Sequence, residues 1–176
     1  MDAQERVREL DDFDAVVRLY WPRVFRFALA SLRDRDAAEN LAQDCFFKAY
    51  QARERFRGDA SVNTWLMQII VNLVRDHVSN RRLQFWRRLT NSDEGMQISD
   101  GRSGAEQSML AKERVAAVWR VSSRLPERQR TVFLLRFVEE MELLEICAVT
   151  GLTEGAVKMH LSRAVQRVRE RVGRSR

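Results

Sequence analysis

Apolar residues recur at three- and four-residue spacing along almost the whole chain, and the pattern fails in one long stretch, residues 83–108. Sustained 3.6-residue periodicity commits a chain to helices packed by one face, and a single long interruption divides it in two. The interruption, "LQFWRRLTNSDEGMQISDGRSGAEQS", holds three glycines among Ser, Asp and Asn residues, the composition of a connection rather than of an element. The expected fold is therefore all-α, with two small helical domains joined by a flexible linker: residues 1–82, linker 83–108, and residues 109–176. Two prolines and seven glycines among 176 residues agree with a largely helical chain. The pair Phe85-Trp86 is unusual for a free linker and suggests docking.

The front half reads as three helices. Phe13, Val16, Val17, Tyr20, Val24, Phe27 and Ala28 mark the first, which Pro22 is expected to kink or divide. Asp34 or Asp36 caps the second, where Ala38, Leu41, Ala42, Cys45, Phe46 and Ala49 form one apolar face. Its other face carries Glu39, Asn40, Gln43, Asp44 and Lys48. After the loop "RFRGDAS", a third helix from about Val62 to Asn80 turns Trp65, Leu66, Ile69, Ile70, Leu73 and Val74 to the core. The back half opens with a helix over about 108–123, then a second that begins at Pro126, where a missing N–H is harmless. Leu143 to Thr150 forms a short helix, Gly151-Leu152 a turn, and Thr153 caps a long last helix. That is a helix-turn-helix.

Charge is distributed unevenly. The net charge of +6 arises behind the linker, where residues 109–176 carry fourteen basic side chains against eight acidic ones. From Lys158 to Arg176 there are seven basic residues and one acidic, Glu170. A basic helical terminus on a nearly neutral body suits a polyanion. In that helix Val157, Leu161, Ala164 or Val165, Val168 and Val172 form the inward stripe, leaving Lys158, Met159, Ser162 and Arg163 outward near its start, and Gln166 and Arg167 one turn on. A recognition helix reads bases near its N-terminus and holds phosphates with neighbouring basic residues. Arg163 offers a fork to a guanine edge, worth about 1–3 kcal/mol of discrimination. A membrane-surface helix needs bulkier apolar residues, and a coiled coil needs a longer apolar repeat.

Other chemistries are poorly represented. Cys45 and Cys147 sit on apolar helix faces as small hydrophobes, too few and too far apart for a disulfide framework. His77 and His160 have no ligand-spaced companions, so no metal and no cofactor is expected, and "FRGDAS" has too few glycines for a phosphate-cradling loop. No nucleophile–base arrangement appears. The charged start "MDAQERVRELDD" is no secretory signal, and "LMQIIVNLV", broken by Gln68 and Asn72, falls short of the ~20 residues of a membrane span. A cytoplasmic protein without stable membrane insertion is expected. Duplex DNA binding is thus favoured, with a regulator whose front half senses or dimerises, and an enzyme acting on nucleic acid, as competing classes.

Both halves together resemble the extracytoplasmic-function group of bacterial sigma-70-family factors. The resemblance rests in front on "DAAENLAQDCFFKAY", "FRGDASVNTWLMQIIVNLVRD" and the trailing "RR", and behind on "LPERQRTVFLLRF" and "LEICAVTGLTEGAVKMHLSRA", in that order. It implies a transcription initiation factor with no catalytic activity of its own, which binds core RNA polymerase and directs it to promoter DNA. Glu39, Asn40, Gln43 and Asp44 would then contact the polymerase clamp. Arg57, Asp59, Ser61 and Asn63 would hold an extruded base of the minus-ten element, with Asn72 and Arg75 supporting the strand. Lys158, Met159, Ser162 and Arg163 would read the minus-thirty-five element, with Arg167 on phosphate and His160 at phosphate or solvent. An anti-sigma factor is the implied regulator, and with no sensory extension after Arg176 control from outside the chain is expected. Met159 and His160 replace common Ser and Arg, Ala156 a common Thr, and Glu140 and Glu142 stand where Gly and a capping Ser or Thr are usual. The turn before the helix-turn-helix is therefore expected to be less tightly held.

The linker sets a geometric expectation. Twenty-six flexible residues span ~28 Å when relaxed. Two promoter elements somewhat under two helical turns apart are separated by ~60 Å. Reaching that distance requires ~2.3 Å per residue, below the limit of ~3.3–3.6 Å. A free chain more compact than its polymerase-bound form is expected.

Overall fold

The structure, a computed structural model, describes residues 2–89, 121–122 and 124–173. Seven helices can be followed: α1 (Ala3–Arg8), α2 (Phe13–Leu32), α3 (Arg35–Ala52), α4 (Val62–Leu89), α5 (Glu127–Phe137), α6 (Leu143–Thr150) and α7 (Glu154–Gly173). No strand occurs among the described residues.

Short polar side chains start the front helices. The carboxylates of Asp2, Asp12 and Asp34 accept from the backbone N–H of Glu5 (2.8 Å), Ala15 (2.9 Å) and Ala37 (3.0 Å), and Ser61 Oγ accepts from Thr64 N–H (3.0 Å). Each satisfies a donor that the first helical turn leaves over. Arg33 ends α2 in a left-handed conformation, φ 57°, its N–H on Leu29 O, so only two residues separate α2 from α3. The expected choice of Asp34 or Asp36 as cap resolves to Asp34.

Pro22 lies inside α2 without ending it. Val16, Val24, Phe27 and Ala28 are buried on both sides of it, and that burial outweighs the one backbone bond the ring removes. The buried face of α3 is the expected set, Ala38, Leu41, Ala42, Cys45, Phe46 and Ala49. Its three alanines let α3 lie close to α2 and α4; a leucine at Ala42 would overpack the seam by about 1–3 kcal/mol. In α4 the buried set is Val62, Leu66, Met67, Ile70, Val71 and Val74. Trp65, Ile69 and Leu73, expected inside, are only partly buried. The inward face is rotated toward Met67 and Val71, because α4 meets α2, α3 and α6 together. The helix also continues to Leu89, through Phe85 and Trp86, past the expected boundary at residue 83.

Sequence patterning gave no warning of α1. It docks on the loop before α4: Gly58 has φ +74°, a Cβ there would meet Ala3 O at 2.4 Å, and Arg6 Nη1 donates to Gly58 O (2.8 Å). Behind α1 a short 3-10 turn, Glu9–Asp11, is tied to α2 where the Tyr20 hydroxyl donates to Glu9 Oε1 (2.8 Å). Burial, and then that bond, push the Tyr20 hydroxyl up to about 12.

In the back half α5 follows Pro126 and buries Val132, Phe133, Leu134 and Leu135. α6 adds Ile146 and Val149, and α7 adds Val157, Ala164 and Val168. The expected linker over 90–108 and the helix expected over 109–120 lie outside the described residues. The two halves meet: α5 packs on α2 and α6 on α4, so their buried residues form one continuous cluster.

Candidate nucleic-acid interface

The helix-turn-helix follows from local chemistry. Gly151, φ +70°, takes the left-handed position that closes α6, its N–H on Cys147 O (2.9 Å). Thr150 Oγ1 donates to Ile146 O (2.6 Å) and accepts from Leu152 N–H (3.3 Å). Thr153 Oγ1 then accepts from Ala156 N–H (3.3 Å), the cap expected for α7. The preceding turn is held more firmly than Glu140 and Glu142 led one to expect. Glu145 Oε2 accepts from Glu142 N–H (2.9 Å), and Arg136 Nη1 donates to Met141 O (2.9 Å) and reaches Glu142 Oε1 (3.3 Å). Glu140 itself has φ 55°, the conformation for which glycine is suited.

With Val157, Ala164 and Val168 buried, helical phase leaves Lys158, Met159, Ser162, Arg163 and Arg167 exposed on α7. Lys158 Nζ pairs with Glu154, one turn earlier. His160 stands apart from these five: it is half-buried, and its Nδ1 is enclosed with no hydrogen-bond partner among the described residues. Its Nδ1 edge faces the helix packing, while the ring as a whole keeps part of its surface exposed.

The front candidates gather around the start of α4. Arg57 and Asp59 are exposed on either side of Gly58, and Asn63 and Asn72 are half-buried. Arg75 is exposed, 3.6 Å from the neighbouring carboxylate of Asp76. Ser61 is committed to holding α4, since its hydroxyl also bonds Thr64 Oγ1 (2.8 Å). Trp65 is half-buried, tilted on Phe56 with ring centroids 4.8 Å apart, which leaves part of an aromatic surface at the loop.

On α3, Glu39, Asn40, Gln43 and Asp44 are all exposed. Sequence reasoning missed that Phe47 (61% exposed) and Tyr50 (47%) continue this face. Helical phase held the signal: burial of Phe46 turns Phe47 outward. Arg53 lies over the Tyr50 ring, 3.8 Å from its centroid. Cys45 is enclosed, and burial pushes its thiol up to about 12, which removes thiolate chemistry at neutral pH. Among the described residues no cluster of His, Cys, Asp or Glu suits a metal ion, and no helix is long and apolar enough to cross a membrane.

Family models match in the same order as the two halves. Residues 16–84 match sigma-70 region 2, and residues 116–168 match sigma-70, region 4. The chain is 32% identical over 171 residues to the RNA polymerase sigma-H factor of Pseudomonas aeruginosa, covering 91% of this chain and 86% of that protein. It is 28% identical over 179 residues to the ECF RNA polymerase sigma-E factor of Escherichia coli K12, covering 96% and 91%. Among solved structures, the sigma factor RpoE in complex with the anti-sigma factor NepR from Bartonella quintana superposes with a TM-score of 0.73 at 22% identity, over 94% of this chain and 99% of that one. CnrH, in complex with the cytosolic domain of CnrY, superposes with a TM-score of 0.65 at 21% identity, over 94% and 91%.

Proposed function

Since the chain belongs to the extracytoplasmic-function group of the sigma-70 family, we propose that it works as a two-site promoter reader within RNA polymerase. It is a transcription initiation factor that directs core polymerase to specific promoters. The observation that carries the two-site reading is the union, on one chain, of a region-2 match with exposed loop residues and a region-4 match whose last helix exposes a basic strip.

Residues 1–82, with the continuation of α4 to Leu89, form the polymerase-binding and minus-ten domain, the rest of 83–108 the linker and 109–176 the minus-thirty-five domain. Glu39, Asn40, Gln43 and Asp44 dock on the polymerase, and Phe47 and Tyr50 add apolar contact at the end of the same face. Arg57, Asp59 and Asn63 hold an extruded minus-ten base against the open side of Trp65, with Asn72 and Arg75 along the strand. Unstacking a base costs a few kcal/mol, which polar edges and an aromatic surface repay. Ser61 acts on this site by fixing α4. Lys158, Met159, Ser162 and Arg163 read the minus-thirty-five duplex, and Arg167 holds phosphate. His160, partly exposed beside them, stands at phosphate or solvent.

No step of bond chemistry belongs to the chain: polymerase performs the synthesis and this factor supplies the address. It acts in the cytoplasm, where polymerase and promoter DNA meet. The anti-sigma complex of the similar RpoE supports regulation by a protein of that kind. In vitro transcription with purified core polymerase, with and without the protein, tests the proposal. Promoter-specific initiation only in its presence is expected, reduced by Phe47→Ser through weaker polymerase binding and by Arg163→Ala through weaker promoter discrimination. Tight binding to promoter duplex by the protein alone, with no initiation in any mixture, would overturn it in favour of an ordinary regulator.

A further inference from the structure

Glu139, in the turn between α5 and α6, is fully buried, yet it is an acid whose side-chain partners among the described residues all lie in the other half of the molecule. Arg23 Nε donates to its Oε2 (2.9 Å), and Arg26 donates from Nε to Oε1 (3.0 Å) and from Nη2 to Oε2 (2.7 Å). Arg23 Nη2 also donates to the Glu139 carbonyl oxygen. Donating these hydrogen bonds to Glu139 raises the Arg26 guanidinium above its ordinary range, and the fields of Glu139 and Glu140 add to it. Both arginines stand on α2, about one helical turn apart, with side chains 34% and 51% exposed.

This arrangement is suited to opening. A carboxylate buried without partners is strongly disfavoured, so Glu139 stays enclosed only while both guanidiniums face it. When the halves part, Glu139 and the arginines return to water, and the apolar surface that α6 shares with α4 is uncovered with them. Buried ion pairs add little net stability over hydrated ions, but they fix which surfaces meet.

We propose that Glu139, Arg23 and Arg26 form a latch that holds the factor in a closed form unable to read a promoter. The inference rests on the reading of the two halves as readers of separated elements. In this structure α7 packs on α6 and α6 packs on α4, so the two reader helices lie about two helix diameters apart, ~20 Å. The elements they serve are ~60 Å apart on DNA. Contact of α6 with α4 also covers part of the helix that carries Asn72 and Arg75. Initiation therefore requires the latch to open, and polymerase must supply that free energy from its own contacts.

The test is Arg23→Glu/Arg26→Glu in the full-length chain, with Glu139→Gln as an independent second variant and circular dichroism to confirm folding. Small-angle scattering of the free proteins is expected to give a larger radius of gyration for both variants than for the wild type. If two thirds of wild-type molecules are closed, opening the latch lowers the factor concentration for half-maximal transcription with core polymerase by about threefold. Unchanged dimensions in both variants overturn the latch, and expansion without a gain in apparent polymerase affinity overturns its inhibitory role. A wild type that fails to support transcription would instead defeat the initiation-factor reading, while the scattering arm still decides whether the latch exists.

Discussion

Replacing Gly58 by alanine should weaken the front half and disturb the loop that carries Arg57 and Asp59. Two effects combine there. A non-glycine residue at φ +74° loses about 1–2 kcal/mol to left-handed strain, offset by about 0.4–1 kcal/mol from a stiffer unfolded chain. The added Cβ would also lie 2.4 Å from Ala3 O and 2.9 Å from Ala3 Cα, backbone atoms that yield only if α1 moves. Moving α1 releases the hydrogen bond from Arg6 to Gly58 O, worth about 1 kcal/mol. The sum is a loss of about 2 kcal/mol, read as a lower urea midpoint at unchanged slope. In a chain lacking residues 2–8 the clash is gone and only the strain remains, so the same substitution should lose less than about 1 kcal/mol. Equal losses with and without α1 would refute the argument from close approach, and a loss under about 0.5 kcal/mol in the intact chain would refute both parts. Promoter opening by the reconstituted polymerase complex should fall alongside stability, because the displaced loop flanks the minus-ten candidates.

Glu140→Gly should stabilise the chain by about 0.5–1 kcal/mol in urea unfolding, since it relieves a left-handed φ of 55° at an exposed position; a destabilised variant would mean that its charge beside Arg26 outweighs the strain. Glu154→Gln frees Lys158 from its exposed ion pair and removes a negative charge from the end of α7 proposed to meet the duplex. Promoter binding by the polymerase complex should tighten about two- to fivefold at low salt and return to the wild-type value at high salt, as surface charge effects do. Cys45 should resist a thiol reagent at pH 8 in the native chain and react on unfolding. Its folded value of about 12 lies above the ordinary 9.0, so its stabilising contribution is complete below pH 9 and is lost as pH rises toward 12. A pH-independent unfolding free energy across that range would contradict it.

Strongly periodic segments with short polar caps are legible in the sequence itself. The buried faces of α3 and α7, the Thr153 cap and the Gly151 turn all follow from residue type and spacing. Contacts between distant segments do not. Met67 and Val71 are inside because α4 has neighbours on several sides, and a one-helix pattern does not encode how many neighbours a helix will have. α1 is hidden because it buries none of its own residues and is held by Asp2 and by Gly58 fifty positions on. Phe47 is hidden by its neighbour, since an aromatic doublet reads as core until the phase is fixed. The Glu139 cluster joins residues more than a hundred positions apart, a pairing that charge composition does not contain.

That aromatic doublet limits how α3 can change over time. Phe46 is 5% exposed and Phe47 61%, so adjacent codons serve opposite sides of one cylinder. Inserting or deleting one residue in the first turns of α3 would rotate everything beyond it by about 100°. Phe47 would swing toward the interior while Phe46, Cys45 and the small alanines left their seats. Substitution is tolerated position by position, but length is not. The helix is a fixed-length cassette whose surface can diversify only in place.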